Sequence, residues 1–385
     1  MLGFVLRVEL DWVQWVSIIL LSLFGLIWLV QLIQWLMLHS KLMGYNRPEV
    51  VVNYRPVSVI VCAKNEEDNL VKFLPLVLNQ QYDEFEVVVV NDCSYDNTGE
   101  ILEEFAKKYA HLRIVTIKED ENYRHGKKFA VMCGIKGAKY EHLIFTDADC
   151  FPNSTNWVRE VMTNYNDAST EIVLGYGGFE KKKGFANKLI RFDALTIALN
   201  YFYAALKGKA YMGVGRNLSY KKSLFFKHKG FASHYFIDSG DDDLFVNESA
   251  TRHNTKIELK PDSFTYSIPK PSFKDWFYQK RRHITTYPHY QPESKRRLFW
   301  VAFFQYGFWF LFLPVVCLGG AFAYVALGCW FLRLLVKYIL FARVFQKFNE
   351  KDLLPLLFIY EVILLFTYPA IRISNTFMKK NAWKS

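Results

Sequence analysis

The apolar and polar positions of this chain fall into three textures. Residues 12–38 are almost uncharged for long enough to span a bilayer. The stretch is too long for the apolar region of a signal peptide and lacks a small-residue cleavage site, so it reads as a permanent anchor. The same texture returns at 298–318, 321–341 and 353–373, interrupted by Gly319-Gly320 and the polar stretch 346–352. Between these ends, short apolar runs alternate with segments of helical spacing. Strands are predicted at 57–63, 85–90, 113–117 and 142–150. Helices are predicted up to Leu78, from the Asp96-Asn97-Thr98 cap to Tyr109, and over 126–138. Strands joined by helices imply an α/β domain with a mostly parallel central sheet, its binding groups gathered beyond the strands' carboxyl ends. Three regions follow: an anchor at 1–46, a central domain at 47–295 and a membrane region of about three helices at 296–385.

Past the fourth strand the pattern weakens. A strand is expected at 171–176, and 184–206 has helical length with apolar residues on most sides, suited to the membrane surface or to a core. The stretch 213–220 reads as permissive backbone followed by a strand. Of the carboxyl-terminal blocks, the middle one carries Arg333 and Lys337 and the last carries Pro355, Glu361 and Pro369. Spans are preferred over interfacial or re-entrant helices. Lys41 and Arg47 follow the first span, and Lys295, Arg296 and Arg297 precede the second. With Arg343, Lys347 and Lys351 on the last long loop, this bias places the central domain in the cytoplasm of an integral membrane protein, expected in a bacterial inner (plasma) membrane. Arg372, Lys379, Lys380 and Lys384 break the bias if all three blocks cross, so one of them need not.

Hydrophobic residues make up 51% of the chain and aromatics 17%, concentrated at the two ends. The net charge of +11 does not call for nucleic acid, because the basic residues cluster beside the spans and the central motifs. Membrane lipid headgroups and an anionic substrate explain them better. The six cysteines form no Cys-x-x-Cys pair and read as reduced, small core residues.

The fourth strand delivers Asp147 and Asp149 at its end. Alternate residues of an extended chain face one point, where repulsion raises one carboxyl pKa unless a cation intervenes. A hard Mg2+ or Mn2+ ion suits such oxygens. Residues 63–66 and Asn91-Asp92 end two other strands on the same edge, which points to a nucleotide pocket. The first strand-to-helix turn has no Gly-x-Gly-x-x-Gly, and no P-loop occurs, which argues against a dinucleotide dehydrogenase and a P-loop ATPase.

The segments Val57-Ser58-Val59-Ile60-Val61-Cys62-Ala63-Lys64-Asn65-Glu66, Val90-Asn91-Asp92-Cys93-Ser94-Tyr95-Asp96-Asn97-Thr98, Gly126-Lys127-Lys128-Phe129-Ala130 and Thr146-Asp147-Ala148-Asp149 together resemble a family 2 glycosyltransferase of the GT-A fold. The resemblance implies that Ala63, Asn65 and Glu66 hold the base and ribose of a nucleotide-diphospho-sugar and that Asp92 pairs with a uracil ring. Asp147 would meet the sugar or ribose, Asp149 the metal, and Lys127 or Lys128 a phosphate at a helix start.

Two later motifs extend it over about 55–285. In Gly240-Asp241-Asp242-Asp243, a general base is implied at Asp242 or, with the alignment shifted, at Asp241. Gln279-Lys280-Arg281-Arg282-His283 is similar to a Gln-x-x-Arg-Trp motif in which Arg pairs with the pyrophosphate and Trp borders the acceptor. Gln279 and Arg282 match, whereas His283 replaces Trp. Arg216 and Asn217 are weaker candidates near the sugar. The implied activity is an inverting, metal-dependent transfer from a UDP-linked sugar to a lipid or lipid-linked (glycan) acceptor at the cytoplasmic face. The alternatives are a processive polysaccharide synthase and an inactive nucleotide-sugar-binding scaffold.

Overall fold

A computed structural model describes residues 11–47, 54–119 and 126–377. The expected strands are present as β1 (Val57–Ala63), β2 (Phe85–Asp92), β3 (Leu112–Ile117) and β4 (His142–Asp147), separated by α1 (Trp12–Met43) at the start and then α2 (Glu67–Leu78), α3 (Thr98–Lys108) and α4 (Lys127–Gly137). All pair in parallel, in the order β3-β2-β1-β4, and Cys62 is in register with both Val90 and Asp147. Their carboxyl ends therefore share one edge, as expected of buried β-branched runs joined by crossover helices.

The chain then departs from simple alternation. After β5 (Cys150–Pro152) and α5 (Trp157–Thr163) come β6 (Ile172–Leu174), β7 (Gly177–Phe179), α6 (Phe185–Leu206), β8 (Leu218–Lys221), α7 (Lys222–Lys227), α8 (Asp243–Ser249), β9 (Thr255–Ile257) and β10 (Thr265–Ser267). The strand β8 inserts antiparallel between β4 and β6, and β9 closes a seven-stranded sheet. A second, three-stranded sheet, β5-β10-β7, stands beside it and was not anticipated. Its strands are three residues long, below the length at which periodicity is readable.

Apolar residues all round α6 are explained by burial in the domain, with Leu189, Leu195, Leu199 and Phe202 at or near zero exposure. Among the described residues it is one of five helices long and apolar enough to cross a membrane, and by far the most buried of them. The others are α1, α10 (Pro292–Cys317), α11 (Gly320–Lys347) and α12 (Leu357–Phe377), the last preceded by a short 3-10 turn; α9 (Phe273–Ile284) precedes them.

In the bundle α1, α10 and α11 pack through Phe24, Phe308, Phe312, Val315 and Ala326. The two buried cations of α11 are met by Gln31 of α1 and Glu361 of the last helix. Arg333 donates to Gln31 at 2.9 Å and to Glu361, Lys337 donates to Glu361 at 2.6 Å, and Gln31 donates to the Phe304 carbonyl at 2.6 Å. Ionisable groups at such depth persist when paired. Lys347 ties α11 to the end of α1, donating to the carbonyls of Leu42 and Tyr45 at 2.9 and 3.2 Å, and the bundle is fixed to the domain by Arg47, which pairs with Glu160 and Glu258.

The last helix behaves differently from α1, α10 and α11. In the turn before it Glu350 and Asp352 pair with Arg191 of α6. Near its end Asn375 exchanges two hydrogen bonds with Arg281 of α9, both 3.0 Å, and Tyr368 donates to Asp193 of α6. With Glu361 near its start paired to Arg333 and Lys337 of α11, α12 touches both the bundle and the domain, and Ile359, Phe366, Ile373 and Phe377 are exposed. Arg372 stacks on Tyr287, whereas Lys379, Lys380 and Lys384 fall outside the described residues. None of the six cysteines, all within the described residues, is in a disulfide; Cys62 and Cys150 are buried as expected, but Cys317 is exposed at the end of α10.

Candidate active site

Asp147 ends β4, a turn follows at Ala148 and Asp149, and β5 opens at Cys150. The two carboxylates are thus gathered by a turn between two sheets, not by alternation along one strand. Together with the Cys150 sulfur, their ligand atoms lie within 4.8 Å of one another. Burial and the Asp149 and Asp147 carboxylates push the Cys150 thiol well up, and its Sγ donates to Asp149 Oδ1 at 3.2 Å. A metal requires the thiolate, so the usable donor set is two hard oxygens, which fits Mg2+ or Mn2+.

The pair is electrostatically split. Burial opposes ionisation of Asp147, but Lys127, whose ammonium is 2.9 Å away, outweighs it with help from Arg216 and Arg282 and holds the carboxyl below its usual value. Burial and the neighbouring Asp147 raise Asp149. A bound divalent cation would relieve that repulsion.

Lys127 opens α4, and α4 lies tight on the sheet: a Cβ on Gly134 would stand 2.7 Å from Ile60 Cγ2. Burial disfavours the Lys127 charge, yet Asp147, Asp241 and Asp242 raise its pKa, and its Nζ bridges Asp147 and Asp241 at 2.9 and 3.3 Å. Lys128 does not share this role. One residue on, it is turned into the protein and donates to the carbonyls of His234 and Ile237 at 2.6 and 2.9 Å.

The three adjacent aspartates have three different surroundings. Asp241 is paired with Lys127. Asp242 caps α8, accepting from the amides of Gly215 and Asp243, both at 2.7 Å. Burial, Asp241 and Asp243 push its carboxyl up to about 7. Asp243 accepts from Thr286 Oγ1 at 2.5 Å and Tyr290 Oη at 2.7 Å, fastening α8 to the segment after α9. That structural role was not read from the sequence.

Ser272 caps α9 by accepting from the Asp275 amide at 3.1 Å. Gln279, Arg282 and His283 share the face turned to the cavity, while Trp276 and Arg281 are buried. Burial together with Arg282 and Lys280 lowers the His283 pKa well below its usual value, so it presents a neutral ring.

These groups line one cavity of about 850 Å³. It brings together Glu66, Lys127, Asp147, Asp149, Asp241, Asp242, Gln279, Arg282 and His283. It also includes Arg216, whose Nε donates to the Gly177 carbonyl at 2.9 Å and whose guanidinium lies over Phe179. A side chain on Gly177 would collide with Arg216. Asn217 is instead a core fastener, donating to the carbonyls of Tyr176 and Ser263. Ala63, Asn65, Asp92 and Lys128 are not on the cavity wall. Ala63 and Asp92 are fully buried at adjacent strand ends. Asn65, at φ 53°, accepts from the Tyr95 amide at 2.9 Å and donates its own amide to Ser94 at 3.0 Å, tying the β1 and β2 ends together.

The chain's likeness to known proteins centres on this edge. The family model described as glycosyl transferase family 2 matches residues 58–228. The probable glycosyltransferase YdaM of Bacillus subtilis (strain 168) is 26% identical over 232 residues, 59% of this chain and 54% of that protein. Glycosyltransferase AglE of Haloferax volcanii is 32% identical over 142 residues, 36% of this chain and 45% of that protein. The chain thus spans about half the length of these curated relatives. Among solved structures, mannosyltransferase PcManGT from Pyrobaculum calidifontis, in complex with GDP-Man and Mn2+, superposes with a TM-score of 0.57 at 18% identity, over 94% of this chain and 98% of that one. Over residues 58–228 the chain matches glycosyl transferase family 2, and its mostly parallel α/β domain with an acid-bearing turn has the GT-A fold.

Proposed function

We propose that the protein is an inverting glycosyltransferase that moves a sugar from a nucleotide-diphospho-sugar, UDP-linked in our reading, to a lipid or lipid-linked acceptor at the membrane surface. The observation that carries this is the convergence of Asp147, Asp149, Lys127, Arg282 and Asp242 on one cavity. Asp149 and Asp147 would hold Mg2+ or Mn2+, which when bound neutralises the diphosphate and eases its departure. Lys127 and Arg282 add fixed positive charge beside the same carboxylates. Asp242 takes the proton of the acceptor hydroxyl as its oxygen bonds to the anomeric carbon. The bond from that carbon to the phosphate oxygen breaks, and the nucleoside diphosphate leaves with the electron pair. A single displacement of this kind inverts the anomeric centre. A base with a pKa near 7 is matched to such work.

In this reading α1, α10 and α11 cross the membrane and α12 lies at its surface. The basic flanks at Lys41, Arg47, Arg296, Arg297 and Lys347 stand at the domain ends of the spans, so the domain faces the cytoplasm. The domain limits we propose are 1–46, 47–295 and 296–385. The test is release of nucleoside diphosphate from UDP- and GDP-sugars by purified full-length protein with a membrane-lipid extract and Mn2+ or Mg2+. No release from any donor would rule the transferase out and leave the inactive scaffold.

A further inference from the structure

The cavity has two unlike ends. Lys127, Arg216 and Arg282 gather around Asp147 at one of them. The other is walled by Ala194, Ile197 and Ala198 of α6, Leu298 of α10, Tyr368 of α12, and Tyr287 between α9 and α10. Leu298 is the first residue past the basic flank of α10, and the next turns expose Phe299, Trp300 and Phe303. The apolar end therefore lies where α10 enters its membrane stretch.

Charge separates the possible occupants. Of the lysines on the wall, Lys280 is paired with the fully buried Asp193, Lys127 with Asp147 and Asp241, and Lys270 is exposed to solvent. Arg297 and Arg372 stack on the rings of Tyr211 and Tyr287 at 4.2 and 5.1 Å but are not part of the wall. Asp241, Asp242 and Asp243 stand on the same wall. A lipid phosphate would bring a further anion against these carboxylates, with Lys280 already engaged, and an anion buried without a partner is costly. A phosphate is also ionised already and has no need of a base, whereas a hydroxyl does.

Resting on the transferase reading above, we propose that the acceptor is an uncharged lipid alcohol, of the diacylglycerol kind, whose apolar part lies against α6, α10 and α12 and whose hydroxyl reaches Asp242. The hydroxyl proton passes to the Asp242 carboxylate, the lipid oxygen bonds to the anomeric carbon, and the nucleoside diphosphate departs with the electrons of the broken bond.

The experiment uses full-length protein in phosphatidylcholine nanodiscs with UDP- and GDP-sugars and Mn2+. One set contains dioleoylglycerol, one a polyprenyl phosphate, and one a soluble sugar acceptor. Dioleoylglycerol should raise nucleoside diphosphate release by about tenfold or more over phosphatidylcholine alone, the scale expected from holding two reactants together. Stimulation by the polyprenyl phosphate alone, or by the soluble sugar alone, overturns the inference while leaving the transferase standing. No release from any donor in any set overturns both. A second readout needs no donor: a diacylglycerol with a diazirine in its acyl chain should label peptides of 185–206 and 292–317, with dioleoylglycerol competing and polyprenyl phosphate not. Labelling confined to peptides of α1 and α11, or competed equally by both lipids, contradicts it.

Discussion

The donor end and the apolar end of the cavity are built in opposite ways. At the donor end, Asp147 ends a parallel strand in register with Cys62, and Lys127 opens the crossover helix before that strand. Crossover geometry places them there whatever the rest of the chain does. The apolar end is assembled from α6, α9, α10 and α12, parts of the chain up to 170 or so residues apart, and depends on how the membrane helices dock. The contrast assigns chemistry to the sheet edge and acceptor choice to helix packing, so that the two should fail separately when perturbed.

The largest effect we expect comes from Asp242→Asn, which leaves the donor end intact but removes the base. Single-turnover transfer should fall by about 10²- to 10⁴-fold, while calorimetric donor affinity holds. A parallel loss of donor affinity would show that the two ends are not separable. The same residue predicts a pH dependence. Burial, Asp241 and Asp243 raise its pKa to about 7, so it is neutral below that value and cannot take a proton. The wild-type rate should drop by about tenfold per pH unit below 7 and level off above it. A flat profile from pH 5.5 to 8 would count against Asp242 as base.

Next in size is a break on the membrane side. Glu361→Leu leaves Arg333 and Lys337 without their acid, and removing one partner of a buried pair costs about 3–5 kcal/mol. Thermal unfolding in detergent should move down markedly, whereas sugar-nucleotide binding by the folded fraction should persist. Smaller still is Tyr290→Phe, which takes one of two side-chain hydroxyl donors from Asp243. Leaving a buried acceptor short costs about 1–3 kcal/mol. An unchanged melting temperature would mean that Asp243 does not hold α8 to the segment after α9.

Legibility in the sequence followed the same division. β1 to β4 and the Asp147–Asp149 pair were readable because an apolar run ending in acids is a local signal. The reason assigned to the pair was incomplete, since a turn into the unanticipated second sheet gathers it. Lys127 and Lys128 were inseparable as letters, because only the carbonyls of His234 and Ile237 distinguish them. Asp241, Asp242 and Asp243 acquire separate roles from Lys127, Gly215 and Thr286 with Tyr290, none of them near in sequence. Composition marks α12 as apolar enough to span, and only the fold shows its contacts with α6, α9 and α11. The apolar wall was illegible for the same reason: Ala194, Ile197 and Ala198 look like core residues until the cavity beside them is seen.

The central claim is that Asp147 and Asp149 hold a divalent cation that fixes the donor's diphosphate. Titrating UDP- and GDP-sugars into the wild-type protein and into Asp149→Asn by calorimetry, with Mn2+ and with chelator, tests it most directly. We expect one donor to bind the wild-type protein only when Mn2+ is present and binding to be lost in the variant. Equal donor binding by both proteins, or binding that ignores the chelator, would contradict the claim.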